Sequence, residues 1–360
     1  MAKVIVGMSG GVDSSVTAYI LKERGFEVEG LSFMLWEARD RGDFSACCSS
    51  EATAGASLTA DILGIRHASV DVREAFIEKV IEPFVEAYTR GITPNPCILC
   101  NRHIKFPFLL SEAGKRGAEF IATGHYARIG RGAETGSPVT LPAEGIFLKK
   151  GVDQKKDQSY VLYVLNKDDL ERIVLPLGDL KKPEVRQIAR SLRLPAADRP
   201  ESQEICFIGE GGYSRFIEDL SPSACNPGPI IDNSGKTVGT HKGIFCYTIG
   251  QRKGLGIYSP TPYYVTSIDT KRNTVFVGRQ EEAMMKEVVV TDLNWLATPP
   301  ATVFRASVKV RSMMADRPAL VELTDDYARI LFDEPLWAPA AGQSAVFYLG
   351  DAVLGGGIIK

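Results

Sequence analysis

Apolar and polar positions along the first third of the chain follow two alternating periodicities. Residues 3–8 form a short apolar run that predicts a strand, and it ends at Ser9-Gly10-Gly11. Val12, Val16, Ile20 and Leu21 then recur at helical spacing until Gly25 closes the segment. Residues 28–36 make a second strand run, 52–63 a helix stopped by Gly64, and 67–70 a third short strand. The segment 73–90 carries Phe76, Ile77, Val80, Ile81, Phe84, Val85 and Tyr88 on one stripe, interrupted at Pro83. Residues 106–116 predict a helix and 120–123 another strand. This succession predicts a parallel sheet with helices on both faces, an α/β doubly wound nucleotide-binding domain.

The middle of the chain is less regular. Residues 130–145 are rich in Gly, Ser, Pro and Thr and lie between two short strand runs, so they predict a surface loop within a hairpin. Their glycines do not fit a dinucleotide fingerprint. A further helix is expected over 182–192, and after Ser221 the chain turns to short β segments punctuated by Pro and Gly. In the last third, 263–268 and 274–277 flank a polar turn, and 303–310, 319–323, 328–332, 345–348 and 353–359 continue the alternation. That pattern predicts an antiparallel domain in the form of a small β-barrel. The expected division is a catalytic α/β domain over 1–200, a small central domain over 201–279 and a C-terminal barrel over 280–360.

Composition changes this picture little. At about 150 residues per domain, 360 residues suit two or three domains. The 44% hydrophobic and 24% charged residues are those of an ordinary globular chain. Lys and Arg total 42 against 44 Asp and Glu, a net charge of −2, which excludes binding to nucleic acid through bulk charge but not through a local basic groove. No apolar run approaches the ~20 residues of a membrane span, so no membrane partner is expected. The start, Met-Ala-Lys followed by Val4, Ile5 and Val6, has the character of neither a signal nor a transit peptide, and a cytoplasmic location is expected. Seven cysteines, an odd number without a regular framework, point in a reducing compartment to catalysis or metal before structural bridges.

The strongest motif is Gly7-Met8-Ser9-Gly10-Gly11-Val12-Asp13-Ser14-Ser15, between a predicted strand and a predicted helix. Its glycines let the backbone approach a phosphate, and the helix N-terminus and hydroxyls supply donors. Asp13 is an apt ligand for Mg²⁺ carried on the phosphates. The Gly-Lys-Ser/Thr of a Walker A loop is missing. The alternative is a plain glycine-rich turn with Ser or Asp as helix cap. A second motif, Thr93-Pro94-Asn95-Pro96-Cys97-Ile98-Leu99-Cys100-Asn101-Arg102, sets two cysteines in a proline-stiffened loop before a helix, where a helix N-terminus lowers a thiol pKa. Ser202-Gln203-Glu204-Ile205-Cys206-Phe207-Ile208 adds a third cysteine, and Cys100 with Cys206 is a candidate nucleophile and sulfur-carrier pair. The competing reading is structural zinc on Cys97 and Cys100 joined by Cys47, Cys48 or Cys206. Cys225 and Cys246 read as structural, and Cys47 and Cys48 receive no role of their own.

The first motif resembles the pyrophosphate-binding loop of the ATP pyrophosphatases, which cleave ATP to AMP and pyrophosphate. Over its whole length the chain resembles the bacterial tRNA-specific 2-thiouridylase family. The matching blocks include the loop, the stretch 93–106, Ala122-Thr123-Gly124-His125-Tyr126, Lys156-Asp157-Gln158-Ser159-Tyr160, the stretch 205–209, Thr248-Ile249-Gly250-Gln251-Arg252-Lys253-Gly254-Leu255-Gly256, and Gly342-Gln343-Ser344-Ala345-Val346-Phe347-Tyr348. The resemblance implies an adenine nucleotide alpha-hydrolase-like fold and ATP-dependent 2-thiolation of the wobble uridine of tRNA. It implies that Gly7, Met8, Ser9, Gly10, Gly11, Val12, Asp13 and Ser14 bind ATP and that Met34 and Gly124 line its site. Sulfur would arrive from a donor protein as a persulfide on Cys206, with Cys100 as nucleophile.

The resemblance further implies that Asn95, Pro96 and Cys97 lie against the target base. His125, Lys156, Asp157, Gln158, Arg311, Ser312 and Gln343 would touch tRNA, and DNA is not an expected partner. Plainer readings stand beside some of these: Met34 as core, Lys156 and Arg311 as solvated charges. The chain departs from some members in having Cys97 where they carry Asp. Cys97, Cys100 and Cys206 are therefore also candidates to hold an iron–sulfur cluster as sulfide carrier. The Arg252-Lys253 loop suits a phosphate backbone, the barrel a clamp, and the target base must leave its stack to react. Two other functions remain open at this point: a ligase of the same loop class acting on a metabolite, and a non-catalytic tRNA- or metal-binding protein.

Overall fold

The computed structural model describes residues 1–36, 50–131, 145–198, 205–209 and 211–360. The chain opens with β1 (Lys3–Gly7), α1 (Val12–Glu23), β2 (Glu27–Met34), α2 (Ser50–Leu63) and β3 (Arg66–Asp71). β4 (Phe120–Ala122) follows two long helical stretches. Next come the hairpin strands β5 (Ala127–Arg131) and β6 (Ile146–Lys150), and then β7 (Ile173–Val174). Strands β3-β2-β1-β4-β7 form a wholly parallel sheet. The continuous apolar run of β1 has its cause in two-sided burial. Val4 and Val6 pack into one core with Val16 and Leu21, while Ile5 faces the opposite core with Leu109 and Ala113. The chain reverses its direction of travel across the sheet at β1, with β2 on one side and β4 on the other. That switch point is where open α/β sheets bind ligands, beyond the carboxyl ends of the strands.

Both long helical stretches are broken in the same way. Arg73–Phe76 passes through a π turn, Ile77–Ile81, into Glu82–Thr89, which carries Pro83 in its first turn. Pro96–Cys100 passes through a π turn, Asn101–Lys105, into Phe106–Lys115, which carries Pro107 in its first turn. A proline has no N–H for the regular ladder, and the wider turn before it accommodates the missing bond. The predicted break at Pro83 is thus a local widening of one helix.

The loop of the β5–β6 hairpin, 132–144, lies outside the described residues. The hairpin itself sits where it was expected, but β6 also pairs with the last strand of the chain, Ala352 opposite Lys149. A central sheet is built from β8 (Gly228–Asp232), β9 (Thr237–His241), β10 (Tyr264–Asp269) and β11 (Thr274–Gly278), in the order β10-β11-β8-β9. The C-terminal strands are β12 (Met284–Trp295), β13 (Val303–Lys309), β14 (Arg317–Leu323), β15 (Ala328–Trp337), β16 (Ser344–Leu349) and β17 (Ala352–Ile359). They run β12-β15-β14-β13-β16-β17, and β12 pairs with β17 to close an antiparallel barrel. β12 escaped the sequence reading because Met284, Met285, Lys286 and Glu287 are all exposed. Two bulges, at Met285/Glu287 and Thr291/Asn294, break its alternation further. No helix among the described residues is long and apolar enough to cross a membrane.

Candidate active site

The glycine-rich loop joins the carboxyl end of β1 to α1. Gly10 has φ +71°, and a side chain there would overlap the Ala52 carbonyl, so the tight turn against α2 requires glycine. The Ser9 amide donates to Ser14 Oγ at 3.1 Å, and the Ser14 and Ser15 hydroxyls donate to the Gly11 carbonyl at 3.1 and 2.9 Å. Gly11 is the N-cap, and no side chain caps the helix. The first-turn amides of a twelve-residue helix therefore face the switch point, the geometry of an anion site rather than of a capped turn. Beside the loop, Gly7, Met8, Ser9, Leu31, Ser32, Phe33, Leu35, Ala52, Thr53 and Lys105 line a mostly apolar slot of about 70 Å³. Met34 is half-buried at the end of β2. Gly124 packs on the loop from the β4 side, where a Cβ would come within 2.8 Å of the Asp13 carbonyl carbon and 2.9 Å of the Ser14 nitrogen.

The Asp13 carboxylate is already engaged by two donors. Lys182 Nζ donates to its two oxygens at 2.7 and 2.8 Å, and the Tyr126 hydroxyl donates to one of them at 2.7 Å. Lys182 is buried at the first turn of the helix Lys182–Ser191 and lies over the Tyr126 ring. The expected Mg²⁺ ligand is thus already neutralised by an ammonium, and the fit to a cation is poor. What the arrangement offers is a buried lysine fixed beside an uncapped helix N-terminus.

The cysteine motif differs from expectation in its electrostatics. Asn95 Oδ1 accepts from the Cys97 amide at 3.1 Å and caps the short helix Pro96–Cys100. Cys97 at its start is exposed, whereas Cys100 at its end is buried, and burial pushes the Cys100 thiol up to about 11. Lys105 opposes that shift without overcoming it. The lowered thiol pKa expected of this two-cysteine motif does not hold for Cys100, and it is the other end of the helix that meets solvent. Cys206 is half-buried, and it packs into the same apolar cluster as Cys100. Its neighbour Phe207 anchors the segment edge-on to Phe76 and Phe84, with centroids at 5.7 and 5.3 Å. Among the described residues no group of three or more His, Cys, Asp or Glu side chains is disposed to hold a metal. The zinc and iron–sulfur alternatives on Cys97, Cys100 and Cys206 therefore find no ligand set in this arrangement. Cys47 and Cys48 lie outside the described residues, and Cys225 and Cys246 pack half-buried as free thiols.

The residues proposed to touch tRNA divide between surface and scaffold. The Thr93 amide donates to the Ala341 carbonyl at 2.9 Å, its hydroxyl to Thr248 at 3.2 Å, and Gln343 Nε2 to the Thr93 carbonyl at 2.8 Å. The loop that carries Asn95, Pro96 and Cys97 is thus pinned where the α/β domain, central domain and barrel meet. Arg311 donates to the Ile249 and Ala338 carbonyls at 2.8 and 2.7 Å and ties the barrel to the central domain. Asp157 accepts from the Gly151 and Ser159 amides and pairs with buried Lys309, and Gln158 Oε1 accepts from the Tyr126 amide. His125 is buried, stacked on Phe106 at 5.8 Å, with Nδ1 2.8 Å from the Thr123 hydroxyl. In this arrangement Gln343, Arg311, Asp157, Gln158 and His125 hold the site together. Lys156 and Ser312 are half-buried at the surface. Gly342, with φ +87°, leaves no room for a side chain against Ile92 and the Thr93 carbonyl. Gly342→Ala is expected to lower stability by about 1–3 kcal/mol and to shift the Asn95 loop, read as a lower melting temperature and weaker tRNA binding.

Residues 2–210 match the family model described as tRNA methyl transferase HUP domain, 214–279 the tRNA methyl transferase PRC-barrel domain, and 285–359 the aminomethyltransferase beta-barrel domain. The chain is 45% identical to tRNA-specific 2-thiouridylase MnmA 2 of Thermoanaerobacter sp. (strain X514), over 99% of this chain and 98% of that one. The chain belongs to the tRNA-specific 2-thiouridylase family. Its likeness to tRNA-specific 2-thiouridylase MnmA of Carboxydothermus hydrogenoformans is 44% over 99% of this chain and 97% of that one. For the enzyme of that name from Geobacter metallireducens the likeness is 43% over 99% and 96%.

In this member of the family, sequence reasoning missed Lys182 and Tyr126. Tyr126 belongs to the stretch 122–126 of the family pattern without a role of its own, and Lys182 entered only as the start of a predicted helix. All four histidines, His67, His103, His125 and His241, have their pKa lowered by burial, and His125 falls well below 6.5, with Lys105 adding to the effect. The folded chain therefore binds fewer protons than the unfolded chain just below pH 6.5. Stability from this source is complete above the unfolded value and is lost as pH falls toward the folded one. The melting temperature is expected to drop between about pH 7.5 and 5.5, and His125→Asn to flatten that slope; an unchanged slope would refute the assignment.

Proposed function

We propose that the chain catalyses ATP-dependent 2-thiolation of the wobble uridine of tRNA. The observation that carries this reading is the uncapped N-terminus of α1, with buried Lys182 beside it, in a chain that packs Cys100 and Cys206 into one apolar cluster. Gly7, Met8, Ser9, Gly10, Gly11, Val12 and Ser14 hold the phosphates, and Met34 and Gly124 wall the nucleotide. Asp13 holds Lys182 in place. Mg²⁺ enters as the counter-ion of ATP, and no side chain is assigned to it. Asn95, Pro96 and Cys97 face the target base once it has left its stack. The exposed Arg252 and Lys253, on a loop braced by Gln251, lie along the phosphate backbone.

The uridine C2 oxygen attacks the α-phosphate, pyrophosphate leaves, and the oxygen becomes part of a good leaving group. The terminal sulfur of a Cys206 persulfide, supplied by a donor protein, attacks C2, and AMP departs. The Cys100 thiolate then attacks Cys206 Sγ, breaks the S–S bond and leaves the sulfur on the base. The resulting Cys100–Cys206 disulfide is reduced by a dithiol. An iron–sulfur carrier is not supported by the arrangement of the cysteines, so no step is routed through one. The same reading divides the chain at about residues 200 and 279 and places it in the cytoplasm.

The test supplies anaerobic protein with ATP, Mg²⁺, unmodified tRNA and a persulfide source. Digested tRNA is examined by mass spectrometry, and AMP is counted against ADP. Exchange of oxygen for sulfur with matching AMP is the expected result. An added methyl group, or ADP in place of AMP, would overturn the reading.

A further inference from the structure

Lys105 ends the π turn Asn101–Lys105 and, with Ser32 and Phe33, lines the slot beside the glycine-rich loop. It is half-buried, and among the described residues no carboxylate lies within ion-pair distance of it. Four other lysines that enter the protein face a carboxylate: Lys3 meets Glu29 at 3.1 Å, Lys150 meets Asp316 at 2.8 Å, Lys182 meets Asp13 and Lys309 meets Asp157. A partly desolvated ammonium without a counter-charge is costly unless an anion arrives to meet it. The ionisable neighbours do not provide one, because burial keeps both the Cys100 thiol and the His125 ring in their neutral forms near neutral pH.

Two lysines therefore flank the loop in different states. Lys182 is held by Asp13 and Tyr126 on one side, whereas Lys105 on the Cys100 side has no such anchor. We propose that Lys105 is a further catalytic residue, whose ammonium binds the phosphate that stays with the adenosine and so grips the adenylate on the side facing the cysteines. This inference rests on the loop being the nucleotide site. It adds a contact from a residue that neither the loop motif nor the cysteine motif includes.

AMP and adenosine separate the contact from general effects on the slot, since only AMP carries that phosphate. Both are titrated calorimetrically into wild type, Lys105→Met, Lys105→Gln and Lys105→Arg, with thermal melts to confirm folding. Lys105→Met and Lys105→Gln are expected to weaken AMP about tenfold or more and to leave adenosine unchanged. Lys105→Arg is expected to keep most of the AMP affinity, and wild-type AMP binding to weaken with salt more steeply than that of Lys105→Gln. Equal losses for AMP and adenosine, or no loss for AMP, would overturn the role of Lys105 alone. Wild type that binds neither ligand would overturn the nucleotide site itself and this inference with it. If the methionine variant melts early, the glutamine variant and the salt dependence still decide.

Discussion

Replacing Lys182 with methionine is expected to slow AMP formation about a hundredfold to a thousandfold while leaving tRNA affinity unchanged. The reason is positional. Lys182 Nζ is fixed at 2.7 and 2.8 Å from the Asp13 oxygens, and Asp13 lies in the first turn of the uncapped helix. When pyrophosphate leaves, negative charge grows on oxygens beside that turn, and a lysine already held in place stabilises it without reorganising. Asp13→Asn acts on the same step by another route, since it removes the carboxylate charge that faces the buried Lys182 ammonium. The Lys182 side chain is 9% exposed and that of Asp13 is 34% exposed, so solvent screens the pair from one side. The folding cost of Asp13→Asn is therefore expected to be about 3 kcal/mol at most. The double variant is expected to fold better than the sum of the two singles predicts, because it removes the stranded charge together with its partner. Labelled-ATP chromatography reads the AMP and denaturant melts read the stability. Wild-type AMP formation by Lys182→Met would reduce the pair to a structural ion pair.

What could be read in the sequence was whatever short-range pattern determines. The glycine-rich loop was legible because a strand, a turn and a helix follow one another within Lys3–Gly7 and Val12–Glu23. The barrel strands with clean alternation were legible for the same reason. β7 was not, because two residues, Ile173 and Val174, carry no period and pair only because β4 lies beside them. Lys182 was predicted to start a helix, but its burial depends on Asp13, 169 positions away. Arg311, Asp157 and Gln343 looked like polar groups waiting for tRNA. In the folded chain Arg311 and Gln343 donate to carbonyls across the domain junction, and Asp157 accepts from amides of its own segment. A sequence motif identifies residues that matter, but not whether they meet the substrate or hold in place the residues that do.

Cys206→Ser is expected to leave AMP formation running while 2-thiouridine falls to background, because adenylation draws on the loop and Lys182 and not on the cysteine cluster. Cys100→Ser is expected to fail later, with sulfur still bound to the protein and only slow release. The two cysteines also differ in what pH does to them. Burial pushes the Cys100 thiol up to about 11, so near neutral pH only a small fraction is thiolate. If its attack on Cys206 Sγ limits turnover, the single-turnover rate rises about tenfold per pH unit across the mildly alkaline range, since the thiolate fraction grows in that proportion below the pKa. A persulfide is more acidic than a thiol, so Cys206 carrying one is expected to add no such slope. A flat profile would move the limiting step to adenylation or base extrusion, and full thiolation by Cys206→Ser would remove Cys206 as carrier. The burial of Cys100 then has a chemical sense. On the proposed mechanism a thiol held neutral by burial is seldom a thiolate near neutral pH, so its attack on Cys206 Sγ would be infrequent and premature discharge of the persulfide would be disfavoured.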